Sequence, residues 1–169
     1  ALLCENSFAD QWFFCNSGAE ANEGAIKLAR RDWVQLGAPK RVIVTAHASF
    51  HGRTMTTLTA SGQTQLHDGF DALMQGFKYA TIDDLNDLEK QITPDVGAVL
   101  LEPIQGEGGI RTCDPEYLQK VRRLCDDKNV LMILDEIQTG CGRTGRLFAY
   151  EHAEIEPDIM TLAKGLGNG

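Results

Sequence analysis

Six short apolar runs punctuate the chain: Trp12-Phe13-Phe14-Cys15, Val42-Ile43-Val44, a weaker Phe77-Lys78-Tyr79-Ala80, and residues 96–101, 130–134 and 159–162. Most are β-branched and apolar at consecutive positions, which suits strands buried on both faces of a parallel sheet better than strands with one wet face. Between them lie stretches with helical spacing. Residues 19–34 place Ala21, Ala25, Leu28 and Ala29 on one side, and 84–92 and 115–127 offer two more. Strand and helix in alternation predict a doubly wound α/β domain, a mostly parallel sheet flanked by helices. Residues 61–76, rich in Gly, Gln and Asp, read as an irregular loop. Ligands of such sheets collect at the carboxyl ends of the strands, so the residues just after each run are where chemistry is to be sought.

Composition narrows the chemistry. With 43% hydrophobic and 24% charged residues, 169 residues can build a core. Sixteen basic against twenty-four acidic residues leave a net charge of -8, with no basic cluster beyond pairs such as Arg30-Arg31, so nucleic acid is a poor partner. The five cysteines are odd in number and never spaced C-x-x-C, which argues against a disulfide framework and a zinc ribbon and for reduced thiols in the cytoplasm. His47, His67 and His152 lack partners at metal-ligand spacing, and no apolar run reaches the length of a membrane span. The abrupt opening at Ala1 and the Gly-rich ending after Lys164 are read as marks of a longer polypeptide.

Five segments carry candidate chemistry. Ser17 and Glu20 in Asn16-Ser17-Gly18-Ala19-Glu20-Ala21-Asn22 have capping-box spacing, and a helix start of this kind serves either as plain capping or as a phosphate cradle. In Ser49-Phe50-His51-Gly52-Arg53-Thr54, Phe50 is suited to a core or to stacking on a planar ring, and Arg53 to a surface ion pair or to gripping a carboxylate. His51 reads as a structural histidine more readily than as a base. Glu102 and Glu107 lie in a Pro- and Gly-shaped loop that is either solvent loop or substrate mouth. Asp135 ends the run Leu131-Met132-Ile133-Leu134, with Gln138 three residues on. A buried strand-end carboxylate is costly unless a cation pairs with it, as a protonated pyridine does; such an acid would also fit a magnesium site or a nucleotide ribose contact, and strand alternation turns Glu136 to the other face. Lys164 follows the run 159–162 and precedes Gly165. An amine and an acid at the ends of neighbouring strands match the needs of pyridoxal phosphate, an aldehyde with a pyridinium nitrogen. No P-loop or G-x-G-x-x-G stands at the head of a strand, which disfavours a nucleotide module.

In order and spacing these segments, with Gly142-Arg143-Thr144-Gly145 and Thr161-Leu162-Ala163-Lys164-Gly165, resemble the class III pyridoxal-phosphate aminotransferases over essentially the whole chain. The resemblance implies part of the large domain of a fold type I enzyme over residues 1–169, lacking an N-terminal segment and a C-terminal small domain. It implies pyridoxal 5'-phosphate attached to Lys164, which then carries the proton, with Asp135 on the ring nitrogen, Gln138 on the phenolic oxygen and Phe50 stacked on the ring. Ser17, Gly18 and Ala19 fall in the phosphate-binding segment, and Glu136 and Ile137 beside Asp135 in the cofactor-binding one. Arg53 matches the arginine for the substrate α-carboxylate and Glu107 the glutamate near the amine end. The implied reaction moves the δ-amino group of N-acetylornithine to 2-oxoglutarate in a cytoplasmic homodimer, with ornithine, succinylornithine, 4-aminobutyrate or a diamine as rival donors. A non-catalytic fragment that binds cofactor weakly or merely dimerises is the rival of another class. Because the family's strand after the lysine lies against the first strand, residues 12–15 are expected to lack their main neighbour, and this chain alone to fold poorly or need a partner.

Overall fold

The structure, a computed structural model, describes residues 2–70 and 72–168. Among these residues there are seven strands: β1 (Val42–Ala46), β2 (Phe77–Ala80), β3 (Val96–Leu101), β4 (Ile104–Gln105), β5 (Arg111–Thr112), β6 (Leu131–Asp135) and β7 (Ile159–Thr161). β4 and β5 pair as a small antiparallel hairpin. The other five form one sheet in the order β2-β1-β3-β6-β7, every neighbouring pair parallel. The helices are α1 (Leu2–Glu5), α2 (Gly18–Gln35), α3 (Met55–Ala60), α4 (Leu85–Gln91) and α5 (Pro115–Lys128).

Both faces of the sheet are covered, and this is why its strands are apolar at consecutive positions. On one face Ala25, Ile26 and Ala29 of α2 pack on Ile43, Ala98, Leu100 and Ile133. On the other, Leu88 of α4 and Tyr117, Val121 and Cys125 of α5 meet Val44, Val99, Leu101, Met132 and Leu134. Adjacent residues of one strand thus feed different layers. A close contact fixes the far end of α2: Trp33 Nε1 donates to the Gly97 carbonyl at 2.8 Å. A Cβ on Gly97 would sit 2.6 Å from the indole, so the helix reaches the sheet only because that position has no side chain.

Five of the six expected strands form, as do the three expected helices, within a residue or two of their anticipated ends. The sixth strand, Trp12-Phe13-Phe14-Cys15, does not form. A strand exists only as half of a ladder, and none of the described residues pairs with this segment, so Phe13 and Phe14 lie exposed. The described residues of the loop 61–76 are irregular apart from a single bridge of Gly62 to His47 and a 3-10 turn at Thr64–Leu66. Elements not anticipated include α1, α3, the β4–β5 hairpin inside the Glu102 loop, a 3-10 helix at Ala149–Ala153 and a 3-10 turn at Lys164–Gly167. Among the described residues no helix is long and apolar enough to cross a membrane, and no cluster of three His, Cys, Asp or Glu is placed to hold a metal.

Candidate active site

A parallel sheet brings all its carboxyl ends to one edge, and the candidate residues follow those ends. Asp135 closes β6 and is in register with Thr161, which closes β7. The Glu136 N–H donates to the Thr161 carbonyl at 3.0 Å, tying the two strand ends together. Lys164 comes three residues beyond Thr161, so amine and acid leave neighbouring strands at the same edge. Lys164 is exposed, opens a 3-10 turn with φ of 43°, and enters no ion pair among the described residues.

Asp135 is 4% exposed and sits in a closed polar network. Its Oδ2 accepts from Asn22 Nδ2 at 2.7 Å and lies 2.8 Å from His51 Nδ1, and its Oδ1 accepts from the Ile137 N–H at 3.1 Å. Asn22 also donates to the His51 carbonyl at 2.8 Å and accepts from Thr161 Oγ1 at 2.8 Å. Burial opposes a charge on His51, but its hydrogen bond to Asp135 and the charges of Asp135 and Glu102 outweigh that and hold its pKa above the ordinary value. Its Nε2 is buried without a partner among the described residues. Glu102, just past β3, accepts from the Phe50 N–H at 3.0 Å. Burial pushes its carboxyl up to about 7, against the charge of His51 and the N–H groups of Phe50 and Gly106.

The other candidate residues lie on neighbouring segments. Ser17 caps α2 by accepting the Glu20 N–H at 3.2 Å, and Glu20 Oε2 takes the Asn16 N–H at 2.6 Å. The amides of Gly18 and Ala19 in the first turn are left without intrahelical acceptors and point outward at the positive end of the helix dipole. Gly18 lies against Ile137, whose Cδ1 would be 2.8 Å from a Cβ there, so the helix start abuts the end of β6. Gly52, with φ of 137°, presses on Ala19 in the same way at 2.8 Å. Half-buried Phe50 carries the guanidinium of exposed Arg53 5.6 Å from its ring centroid. The Gln138 amide lies over Gly106, within 2.6 Å of where a Cβ would stand. Exposed Glu107 sits in the turn of the β4–β5 hairpin.

Glu136 does not join this group by its side chain. It is wholly buried, and its carboxylate accepts from Thr139 Oγ1 at 3.1 Å, the Ala149 N–H at 2.6 Å and the Tyr150 N–H at 2.8 Å. The alternation of β6 explains the split: Asp135 and Glu136 leave the strand end on opposite sides. Asn22 and His51 were the residues that sequence reasoning undervalued. The signal available was an Asn inside a helix, a poor former that has to be satisfied by tertiary bonds.

The "Aminotransferase class-III" family model matches residues 1–169. The chain is 55% identical over 169 residues to an acetylornithine aminotransferase from Caldanaerobacter subterraneus subsp. tengcongensis, covering 99% of this chain and 43% of that protein. It therefore spans well under half the length of that curated relative. Among solved structures, the N-acetylornithine aminotransferase from Stenotrophomonas maltophilia K279a superposes with a TM-score of 0.83 at 44% identity, over 99% of this chain and 41% of that one. Two structures of the ornithine aminotransferase from Toxoplasma gondii superpose with TM-scores of 0.94 and 0.90 at 38% and 39% identity, covering 99% and 95% of this chain and 41% and 39% of theirs. In the second, pyridoxal phosphate partly occupies the active site.

Proposed function

Because the chain belongs to the class-III aminotransferases, we propose that it is the cofactor-binding part of the large domain of an enzyme that transfers the δ-amino group of N-acetylornithine to 2-oxoglutarate. The observation that carries this reading is the placement of Lys164 and Asp135 at the ends of two adjacent parallel strands. Homodimerisation, which would cover Phe13 and Phe14, belongs to the same proposal.

The residues fit pyridoxal phosphate. A phosphate calls for free amides, and those of Gly18 and Ala19 point outward at the head of a capped 18-residue helix. A pyridinium nitrogen calls for a fixed anion, and Asp135 is buried, held by three donors, with Oδ1 taking only one of them. When bound, the group supplies an electrophilic aldehyde carbon and a ring that takes up the electrons released when a substrate C–H bond breaks.

The chain's own groups do the rest. Lys164 would supply the amine that holds the cofactor and, once free, a base placed to take up or give back a proton at the substrate carbon. Asp135 would face the ring nitrogen as its anionic partner; Asn22, His51 and the Ile137 amide hold its carboxylate in place. Gln138 offers its amide to the phenolic oxygen, Phe50 forms a flat wall, Arg53 grips the substrate carboxylate with two parallel N–H bonds, and Glu107 receives the amine end. Glutamate formation from N-acetylornithine and 2-oxoglutarate, set against ornithine as donor and measured on the full-length enzyme of which this chain is the proposed part, tests the proposal. A higher kcat/KM for the acetylated donor is expected. A preference for ornithine would move the assignment to the ornithine branch, which the T. gondii superposition also supports.

A further inference from the structure

Asn22 lies four residues past the start of α2 and is wholly buried. Asparagine is a poor helix former, and an amide taken out of water is costly unless its groups are bonded. Here both donors and the oxygen are used, on three different segments. One N–H goes to Asp135 Oδ2 at the end of β6 and the other to the His51 carbonyl after β1, while Oδ1 accepts from Thr161 at the end of β7.

We infer that Asn22 is a positioning residue: by holding Asp135 and Thr161 at once, it fixes the anion and the strand leading to Lys164 in one register. With His51 Nδ1 it fills Oδ2, so the less occupied Oδ1 is the oxygen left for a ligand. The chemistry demands Asn rather than its isostere. Asp at this position would set a second carboxylate 2.7 Å from Asp135 Oδ2 and lose both donors. The role of Asn22 rests on the pyridoxal-phosphate reading of the site; the network itself does not.

The test has one arm without cofactor and one with it. In the cofactor-free protein the His51 ring, which faces Asp135 and Glu102, is titrated by NMR. Asn22→Ala removes the donor that shares Oδ2, so His51 is expected to hold its proton to higher pH than in wild type. An unchanged His51 titration would overturn the network whatever the cofactor does. With pyridoxal phosphate, Asn22→Ala is expected to weaken binding roughly tenfold to a hundredfold, the scale of a lost hydrogen bond to a charged group, and to shift the pH at which the visible absorption changes. Asn22→Asp should do at least as much, Thr161→Val less in the same direction, and Thr45→Val, whose hydroxyl is buried without a partner, nothing. An Asn22→Ala protein that melts earlier but keeps wild-type affinity and pH midpoint would show a merely structural residue. If wild type itself takes no cofactor, the reading of the site falls, and the His51 titration alone decides whether Asn22 governs Asp135.

Discussion

Glu102 is the residue that most directly links burial to behaviour. Burial pushes its carboxyl up to about 7 from an ordinary 4.5. Between those values the folded protein holds a proton that the unfolded chain has released, so stability falls as pH rises through that window. His51, held above its ordinary value despite burial by Asp135 and Glu102, adds a loss of the same sign as it deprotonates. The urea midpoint is therefore expected to fall between about pH 5 and about pH 8, and Glu102→Gln to flatten the slope by on the order of 3 kcal/mol at most. A slope that Glu102→Gln leaves unchanged would contradict the assignment. At this scale the sequence was legible where chemistry is carried by type and place: Lys164 after an apolar run, Asp135 at the end of one, glycines at 18, 52 and 106. It was not legible for Asn22 and His51. Their weight comes from bonds to Asp135, which is 113 and 84 positions away along the chain.

At the scale of elements, the strand pattern was readable because burial on both faces leaves a continuous apolar run, and the helices because of their helical spacing; in the structure Ser17, Asp84 and Asp114 cap their starts. The short elements were opaque. The Ala149–Ala153 3-10 helix has no periodicity of its own; it is pinned by Glu136, whose carboxylate takes its first two N–H groups. Burial pushes that carboxyl up, while the Ala149 and Tyr150 amides and Thr139 pull it back. Glu136→Ala would leave three buried donors, the Ala149 and Tyr150 amides and the Thr139 hydroxyl, without their acceptor, at a cost of about 2–5 kcal/mol in urea unfolding. The same substitution should also loosen residues 139–148, read as faster amide exchange there than in wild type. A variant of wild-type stability would mean that the 3-10 helix is held by packing alone.

At the scale of the molecule, the expected sixth strand shows the limit of local reading. Trp12-Phe13-Phe14-Cys15 has strand composition, yet pairing is a property of a neighbour, and none of the described residues supplies one. The consequence is an apolar surface, with Phe13 79% and Phe14 73% exposed. Such a patch is expected to drive association at micromolar concentration, and replacing both phenylalanines by Ser to lower the weight-average mass in sedimentation. Equal masses would show that the patch is not the contact. The measurement that bears most directly on the site as a whole is borohydride reduction of the protein mixed with pyridoxal phosphate, followed by peptide mass mapping. One pyridoxyl group is expected per chain, on Lys164, lost in Lys164→Ala and held less tightly in Asp135→Asn. Label spread over surface lysines, or on Lys164 with the same affinity whether or not Asp135 keeps its charge, would show that the amine and the acid do not serve one ring.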